Sequence, residues 1–366
     1  MRVLDPLDQR IVIALQVDGR ASWTDIAALT GSSVTTVSRR GQQILQQGLI
    51  RIAAVPTVDQ RTVEHLVVRL RCAPGSQARV AREIASWREV RSLALVTGVH
   101  DVVAEFMVPR ERDLAQLLVR DVQRVEGVLS SEVDLILRTY KASDDWSRQI
   151  LGEKAVAAAR YPMRQPAYSR HPLDDLDTRI LEALREDGRQ SFQAVADQLG
   201  VHESTVRRRF EAMIAHGSVR LVTLAPAKLL GYAAEVIFWL DILPAHLDAA
   251  AQKLSRHQGV RHVAAMLGRD SLMCEVVLPS TRDLFAFTTE TLASLDGVRA
   301  WRTSIELLTV KRGFVEAPWA LSWLRADQAG PIGPAGVLGG RSGRVGLIRA
   351  DEGRHGNGEE ARVAPA

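Results

Sequence analysis

Leu4-Asp5-Pro6-Leu7-Asp8-Gln9-Arg10-Ile11 returns later in the same chain as Leu173-Asp174-Asp175-Leu176-Asp177-Thr178-Arg179-Ile180. Asp18-Gly19-Arg20 returns as Asp187-Gly188-Arg189, and Thr36-Val37-Ser38-Arg39-Arg40 as Thr205-Val206-Arg207-Arg208-Arg209. The offset is 169 throughout, and about 20 of the 48 positions from Leu4 to Arg51 are identical at it. Solenoid repeats run roughly 20–50 residues, so this is a duplicated multi-element unit instead.

Each copy opens with helical periodicity. Leu7, Ile11, Ala14 and Leu15 recur at the spacing of one buried helix face. Asp18-Gly19-Arg20 stops that helix, with Gly19 suited to a left-handed turn. Ser22, with Asp25 three residues on, marks a second helix start, and Gly31 its end. A third helix runs from Ser32 or Ser33 to Gln47-Gly48, followed by a strand over Leu49–Val55. Helix, short helix, glycine turn and longer helix in about 45 residues is a helix-turn-helix domain. The second copy repeats it from Leu173 to Leu224.

Behind each such domain lies a unit of strand, helix, two strands, helix and strand. In the first copy these are His65–Cys72, Gln77–Trp87, Val90–Thr97, Val102–Val108, Glu111–Val125 and Val128–Leu137. In the second they are Glu235–Leu243, Leu247–His257, Val260–Leu267, Leu272–Leu278, Thr281–Leu295 and Val298–Val310. Gly98/Gly268, Pro109/Pro279 and Lys141/Lys311 fix the register at offset 170. The fold class read from this is α+β: two helix-turn-helix domains alternating with two ferredoxin-like βαββαβ domains, the latter packed sheet to sheet. The divisions are 1–57, 62–141, a linker at 142–172 with one helix over 146–160, then 173–229 and 232–312. A Gly-, Pro- and Arg-rich tail at 326–366 is expected to be disordered.

Composition sets the bounds. Of 366 residues, 46% are hydrophobic and 25% charged, as in ordinary soluble proteins. A net charge of +4 leans only mildly toward polyanions. Two cysteines, Cys72 and Cys274, argue against a disulfide framework and for the reducing cytoplasm. No apolar run is long enough for a membrane span. There is no metal-ligand cluster, nucleophile triad or phosphate-cradling loop, so no cofactor is expected.

The third helices carry the chemistry. Val34, Val37, Gly41 and Ile44 fall on one face, as do Glu203, Val206, Phe210 and Met213. The opposite faces present Ser33, Thr35, Thr36, Ser38, Arg39 and Arg40, and Ser204, Thr205, Arg207, Arg208 and Arg209. Hydroxyls and guanidinium groups near a helix start suit phosphates and base edges of double-stranded DNA.

Leu7-Asp8-x-x-Ile11, Asp18-Gly19-Arg20, Ile26-Ala27 and Thr36-Val37-x-Arg39-Arg40, followed by βαββαβ, resemble the leucine-responsive regulatory protein/AsnC family. The resemblance covers roughly residues 4–141 and 173–312. It implies a transcription regulator rather than an enzyme, a homo-oligomer, and a small-molecule effector such as an amino acid. It also implies an effector site at the Gly-x-x-Asp turn. Gly98, His100 and Asp101 fit that turn; in the second copy Gly268 and Asp270 do, with the acid one position early. The chain departs from the family at Gly41, which leaves the first reading helix loosely packed, and at His202 and Glu203. The copies are therefore expected to read different half-sites, or to share the affinity unequally. Two alternatives stand beside this reading. One is a sirohaem decarboxylase-like enzyme on the same architecture, although the Tyr-Asn segment of those enzymes is missing and His100 and His262 stand isolated. The other is a metabolite-sensing module without DNA binding.

Overall fold

The two copies of the repeat build one structure together, in a computed structural model that describes residues 3–59, 61–142 and 173–326. The expected linker helix and the tail from 327 onward lie outside the described residues. The first copy runs α1 (Pro6–Val17), α2 (Trp23–Thr30), α3 (Val34–Gln46), β1 (Arg51–Pro56), β2 (Val63–Cys72), α4 (Gln77–Ala85), β3 (Val90–Val96) and β4 (Val102–Pro109). It ends with α5, a π-helical stretch Gln116–Asp121 running into Val122–Arg124, and β5 (Val128–Lys141). The second runs α6 (Asp175–Glu186), α7 (Phe192–Leu199), α8 (Glu203–Ala215), β6 (Val219–Leu224), β7 (Ala234–Ile242) and α9 (Pro244–Ser255). It continues with β8 (Val260–Leu267), β9 (Leu272–Leu278), α10 (Thr281–Ala286) and β10 (Val298–Arg312). Two elements not anticipated from sequence follow, β11 (Val315–Glu316) and α11 (Pro318–Ala326).

Local chemistry accounts for the helix ends. Ser22 Oγ accepts from the Asp25 amide at 3.1 Å, starting α2. Gly31 and Gly200, at φ 67° and 68°, end α2 and α7 in the left-handed conformation that glycine adopts without Cβ strain. Gly19 and Gly188 are not left-handed, contrary to expectation. A Cβ on Gly19 would lie 2.9 Å from Ile52 Cγ2, and one on Gly188 3.1 Å from the Ala53 amide. These glycines serve close approach, not a turn.

The two helix-turn-helix copies share one core. Ile11, Leu15, Ile26 and Val37 pack in the same cluster as Ile180, Leu184, Val206 and Phe210. β1 and β6 pair antiparallel from Arg51↔Leu224 to Pro56↔Val219, joining the copies through backbone hydrogen bonds.

The remaining strands depart from the expectation of two ferredoxin-like units. Each half keeps its βαββαβ order, but the halves do not stand as separate sheets. β5 pairs with β8 and β10 pairs with β3, both across the copies, and β10 also pairs with β7. The ring β10-β3-β4-β2-β5-β8-β9-β7 therefore closes on itself as an eight-stranded antiparallel barrel, with β11 added beside β10. Closure removes the exposed edges that two open sheets would present. Alternation sorts the side chains. Leu66, Val68 and Leu70 point outward into one helix-covered core, and Val236, Phe238 and Leu240 into the other. Val67, Val103, Ile136, Ile237, Trp239 and Met273 fill the barrel interior.

Cross-copy contacts recur at the rim. Lys311 Nζ donates to the carbonyls of Ala85 and Trp87 at 2.7 and 2.8 Å, at the end of α4. Its counterpart Lys141 donates to the His257 carbonyl at 3.1 Å, beyond the end of α9. α11 buries Ala320 and Leu324 in the core of the first copy, which ties the end of the second half to the first. Cys72 and Cys274 are buried free thiols.

The barrel interior also holds charge. Toward one end, Glu105 accepts from Arg91 at 2.6 Å and lies 2.5 Å from His65 Nε2. Burial opposes its charge, but Arg91 and His65 overcome this and hold the carboxyl well below its usual range. Next to it, Arg261 meets Glu235, Glu275 and Glu306, and Arg312 meets Glu275 and Glu306. His262 lines an adjoining cavity of about 50 Å³, and neither ring nitrogen has a protein hydrogen-bond partner. Burial pulls its pKa down to about 4 from 6.5. The unfolded chain therefore takes up this proton first, and stability falls as pH drops from 6.5 toward 4. Glu306, pushed up to about 7 by burial, works in the opposite sense over 4.5 to 7. The difference between wild type and His262→Gln isolates the histidine. Urea unfolding should show that difference shifting by roughly 2–3 kcal/mol between pH 7 and 4.5, in favour of the variant at low pH. A pH-independent difference would mean that His262 titrates normally.

Candidate nucleic-acid interface and effector site

α3 and α8 are built alike and sit on the shared core through Val37 and Ile44, and through Val206, Phe210 and Met213. Ser33 caps α3 by accepting from the Thr36 amide at 3.2 Å, and its hydroxyl bonds Thr36 Oγ1 at 2.8 Å. His202 holds the same place before α8 and makes no side-chain cap. Val34, read from sequence as part of the buried face, is 44% exposed.

The structure divides the arginines read as DNA contacts. Arg40 Nη1 reaches both Asp5 and Asp8, the latter at 3.0 Å. Its counterpart Arg209 Nη1 reaches Asp174 and Asp177 at 2.6 and 2.9 Å. These two therefore clamp each reading helix to the first helix of its own domain. Arg39 and Arg208 are exposed, as are Thr35, Ser204 and Arg207, while Thr36, Ser38 and Thr205 are half-buried. Arg207 is held by Glu203 one turn earlier, with Nε and Nη2 at 3.1 and 2.5 Å from Oε1, and lies 5.1 Å from the Phe192 ring centre.

Gly41 does not loosen α3. A Cβ there would lie 2.3 Å from Trp23 Cζ3, so the missing side chain is the seat of the indole. The second copy solves the same problem with two medium rings, Phe192 and Phe210, 5.4 Å apart.

The repeated Asp-Gly-Arg has a role that the sequence reading missed. Arg20 crosses to the second domain, donating to the carbonyls of Gly188 and Gln190 at 2.6 and 3.0 Å and lying 4.2 Å from the Phe192 ring centre. Arg189 crosses back to Gly19 and Ala21 at 2.8 and 3.0 Å and lies 4.6 Å from Trp23. The brace is reciprocal and fixes one reading helix against the other. Its signal in the sequence was the exact retention of Asp-Gly-Arg where neighbouring positions diverged.

The candidate effector turns differ from each other. In the first, Asp101 is half-exposed; its Oδ2 accepts from the Cys72 amide at 2.7 Å and its Oδ1 from Gln77 at 3.5 Å. Gly98 is exposed at φ 111° beside β10, and His100 Nε2 lies 3.2 Å from Glu132. In the second, Asp270 is fully buried and pairs with Arg69, at 3.0 Å, and with Arg302. Arg69 also meets Asp134 and Glu132 and stacks 4.6 Å from Trp239. A Cβ on Gly268 would lie 1.6 Å from Asp134 Oδ1. Asp270 thus belongs to an internal ion network, while Gly268 stays exposed in the turn and lets it pass close to Asp134.

Comparison with known proteins agrees with this architecture. An AsnC-type helix-turn-helix domain model matches residues 4–43 and 173–214, and an Lrp/AsnC ligand binding domain model matches 65–146 and 235–315. The chain belongs to the Lrp/AsnC family. It is 35% identical over 142 residues to an uncharacterised HTH-type transcriptional regulator of Pyrococcus furiosus, spanning 38% of this chain and 95% of that protein. It is 31% identical over 127 residues to the HTH-type transcriptional regulator LrpA of Pyrococcus horikoshii, spanning 34% and 90%. The crystal structure of the siroheme decarboxylase NirDL aligns over 88% of this chain and 98% of that one, with a TM-score of 0.55 and 13% identity. At that identity the likeness is one of fold alone. Two Lrp/AsnC units in tandem make this a family transcriptional regulator with its helix-turn-helix and ligand-binding domains each present twice. No helix among the described residues is long and apolar enough to cross a membrane.

Proposed function

We propose that a single chain of this Lrp/AsnC-family regulator is a complete sequence-specific reader of double-stranded DNA, acting in the cytoplasm. The observation that carries this reading is the reciprocal Arg20/Arg189 brace, which presents two reading helices from one polypeptide. Paired reading helices match paired half-sites. On this reading Thr35, Ser38, Arg39, Ser204, Arg207 and Arg208 meet the DNA, with Ser33, Thr36 and Thr205 at the helix starts and Arg40 and Arg209 setting the pose. Mapping of bound sites across the source genome should give discrete, recurring sites. Uniform or absent occupancy contradicts the proposal.

The barrel, read as two merged ferredoxin-like units, is the sensing part. We assign the effector to the first turn, at Gly98, His100 and Asp101, with an amino acid as ligand. A half-exposed carboxylate suits an ammonium group, and the buried Asp270 of the second turn leaves that copy structural. Calorimetry against the twenty amino acids should find one that binds wild type and fails to bind Asp101→Ala, while effector-free DNA affinity is kept. Equal binding by both proteins places the site elsewhere. Exposed Leu137, Leu267, Ile305 and Leu307 on the strands that join the copies favour association of whole chains into homo-oligomers.

A further inference from the structure

The two reading helices hold the same pose but carry different chemistry along one line. Val37 and Val206 are buried beneath them, and Arg40 and Arg209 pin each to the equivalent carboxylate pair of its own domain, Asp5/Asp8 and Asp174/Asp177. Arg39 and Arg208 are identical and exposed in both copies. The outward positions at i, i+4 and i+8 differ completely: Val34, Ser38 and Gln42 on α3, against Glu203, Arg207 and Glu211 on α8. All six are exposed or half-exposed. One line is uncharged; the other alternates acid, arginine and acid.

We propose that this line makes the operator non-palindromic, with A·T pairs opposite Val34 and Gln42 and a G·C pair opposite Arg207. The inference rests on the DNA-reading proposal above. Its chemistry is that of the major groove. An aliphatic side chain packs on the thymine methyl, a glutamine amide pairs with adenine, and an arginine fork pairs with guanine. Arg207 is prepared for this, because Glu203 holds Nε and Nη2 and the Phe192 ring lies against its guanidinium plane. A side chain ordered before binding loses less entropy on contact. Val34, 44% exposed on its reading helix, supplies the apolar contact on this proposal.

The test is selection of duplexes from a random pool by the full chain, wild type and variant. Wild type should enrich a motif with one A·T-type and one G·C-type half. The triple variant Glu203→Val, Arg207→Ser, Glu211→Gln gives α8 the α3 line at exposed positions. It should enrich an A·T-type palindrome and bind the wild-type motif roughly 5- to 150-fold more weakly. Circular dichroism melting of both proteins checks that the fold is kept. A palindromic motif from wild type overturns the inference while leaving DNA reading intact, as does the same motif from wild type and variant. Enrichment of no motif at all overturns DNA reading itself and this inference with it.

Discussion

Arg69→Met is expected to cost about 3–5 kcal/mol of stability, the range for removing one partner from a buried ion network. Arg69 is 3% exposed and is the cation facing Asp134, which is 2% exposed, while Asp270 keeps Arg302. Burial already raises the Asp134 pKa, and Arg69 is what restrains it. Without the guanidinium that carboxyl rises further. A carboxyl whose folded pKa exceeds its unfolded value destabilises the fold as pH rises and is neutral in effect below the unfolded pKa. The deficit of the variant should therefore shrink as pH falls from 8 to 4. Urea unfolding at several pH values measures this. A loss below 1 kcal/mol, or one that grows at low pH, would show that the network does not carry the barrel.

The second large effect is expected on DNA binding. Arg20→Ala and Arg189→Ala each remove two charge-assisted hydrogen bonds to carbonyls, together with the cation–π contacts of Arg20 to Phe192 and Phe210 or that of Arg189 to Trp23. Either change should cost about 3 kcal/mol or more, since each bond to a charged group contributes about 1.5–3 kcal/mol and Gly188, Gly19 and Ala21 are buried. β1 and β6 remain paired in the variants, so the domains stay attached but no longer in fixed register. The double variant should bind its operator at least about tenfold more weakly, because two linked sites lose effective concentration when their geometry loosens. Binding to a duplex carrying a single half-site should hardly change. If single-site and two-site affinities fall together, the arginines support each domain separately rather than the pair.

Much of this was legible in the sequence, for identifiable reasons. Helix ends follow from short-range chemistry, so Ser22 with Asp25 and the glycines at 31 and 200 marked α2 and α7 correctly. The βαββαβ order followed from periodicity and turn residues. Closure of the barrel did not. Alternation says which face of β5 is inside, not that its edge will meet β8 in the other copy. One hint was available: Leu66-Val67-Val68 is apolar on both faces, as in a strand covered on both sides. Asp270 looked like turn chemistry because its partners Arg69 and Arg302 lie far away in sequence. Gly41 looked like a packing defect because Trp23 was not recognised as its complement. α11 is too short for periodicity to declare it, and its burial depends on α4 of the other copy.

The reading helices were found correctly as elements but only partly as sites. Arg39 and Arg40 are adjacent and chemically identical, yet one faces solvent and the other Asp5 and Asp8. Helical spacing alone did not separate them, because the carboxylates that claim Arg40 come from the start of α1.

The central claim is that one chain presents two DNA-reading helices, and salt-dependent affinity tests it most directly. Each phosphate neutralised contributes close to one unit to the slope of log K against log salt concentration. Arg39→Ala and Arg208→Ala on the selected operator should each lower the slope by about one unit, and the double variant by about two. Arg40→Ala should act on stability instead, leaving the slope of the folded protein unchanged. Equal slopes for wild type and the Arg39/Arg208 double variant, at unchanged affinity, would contradict the account.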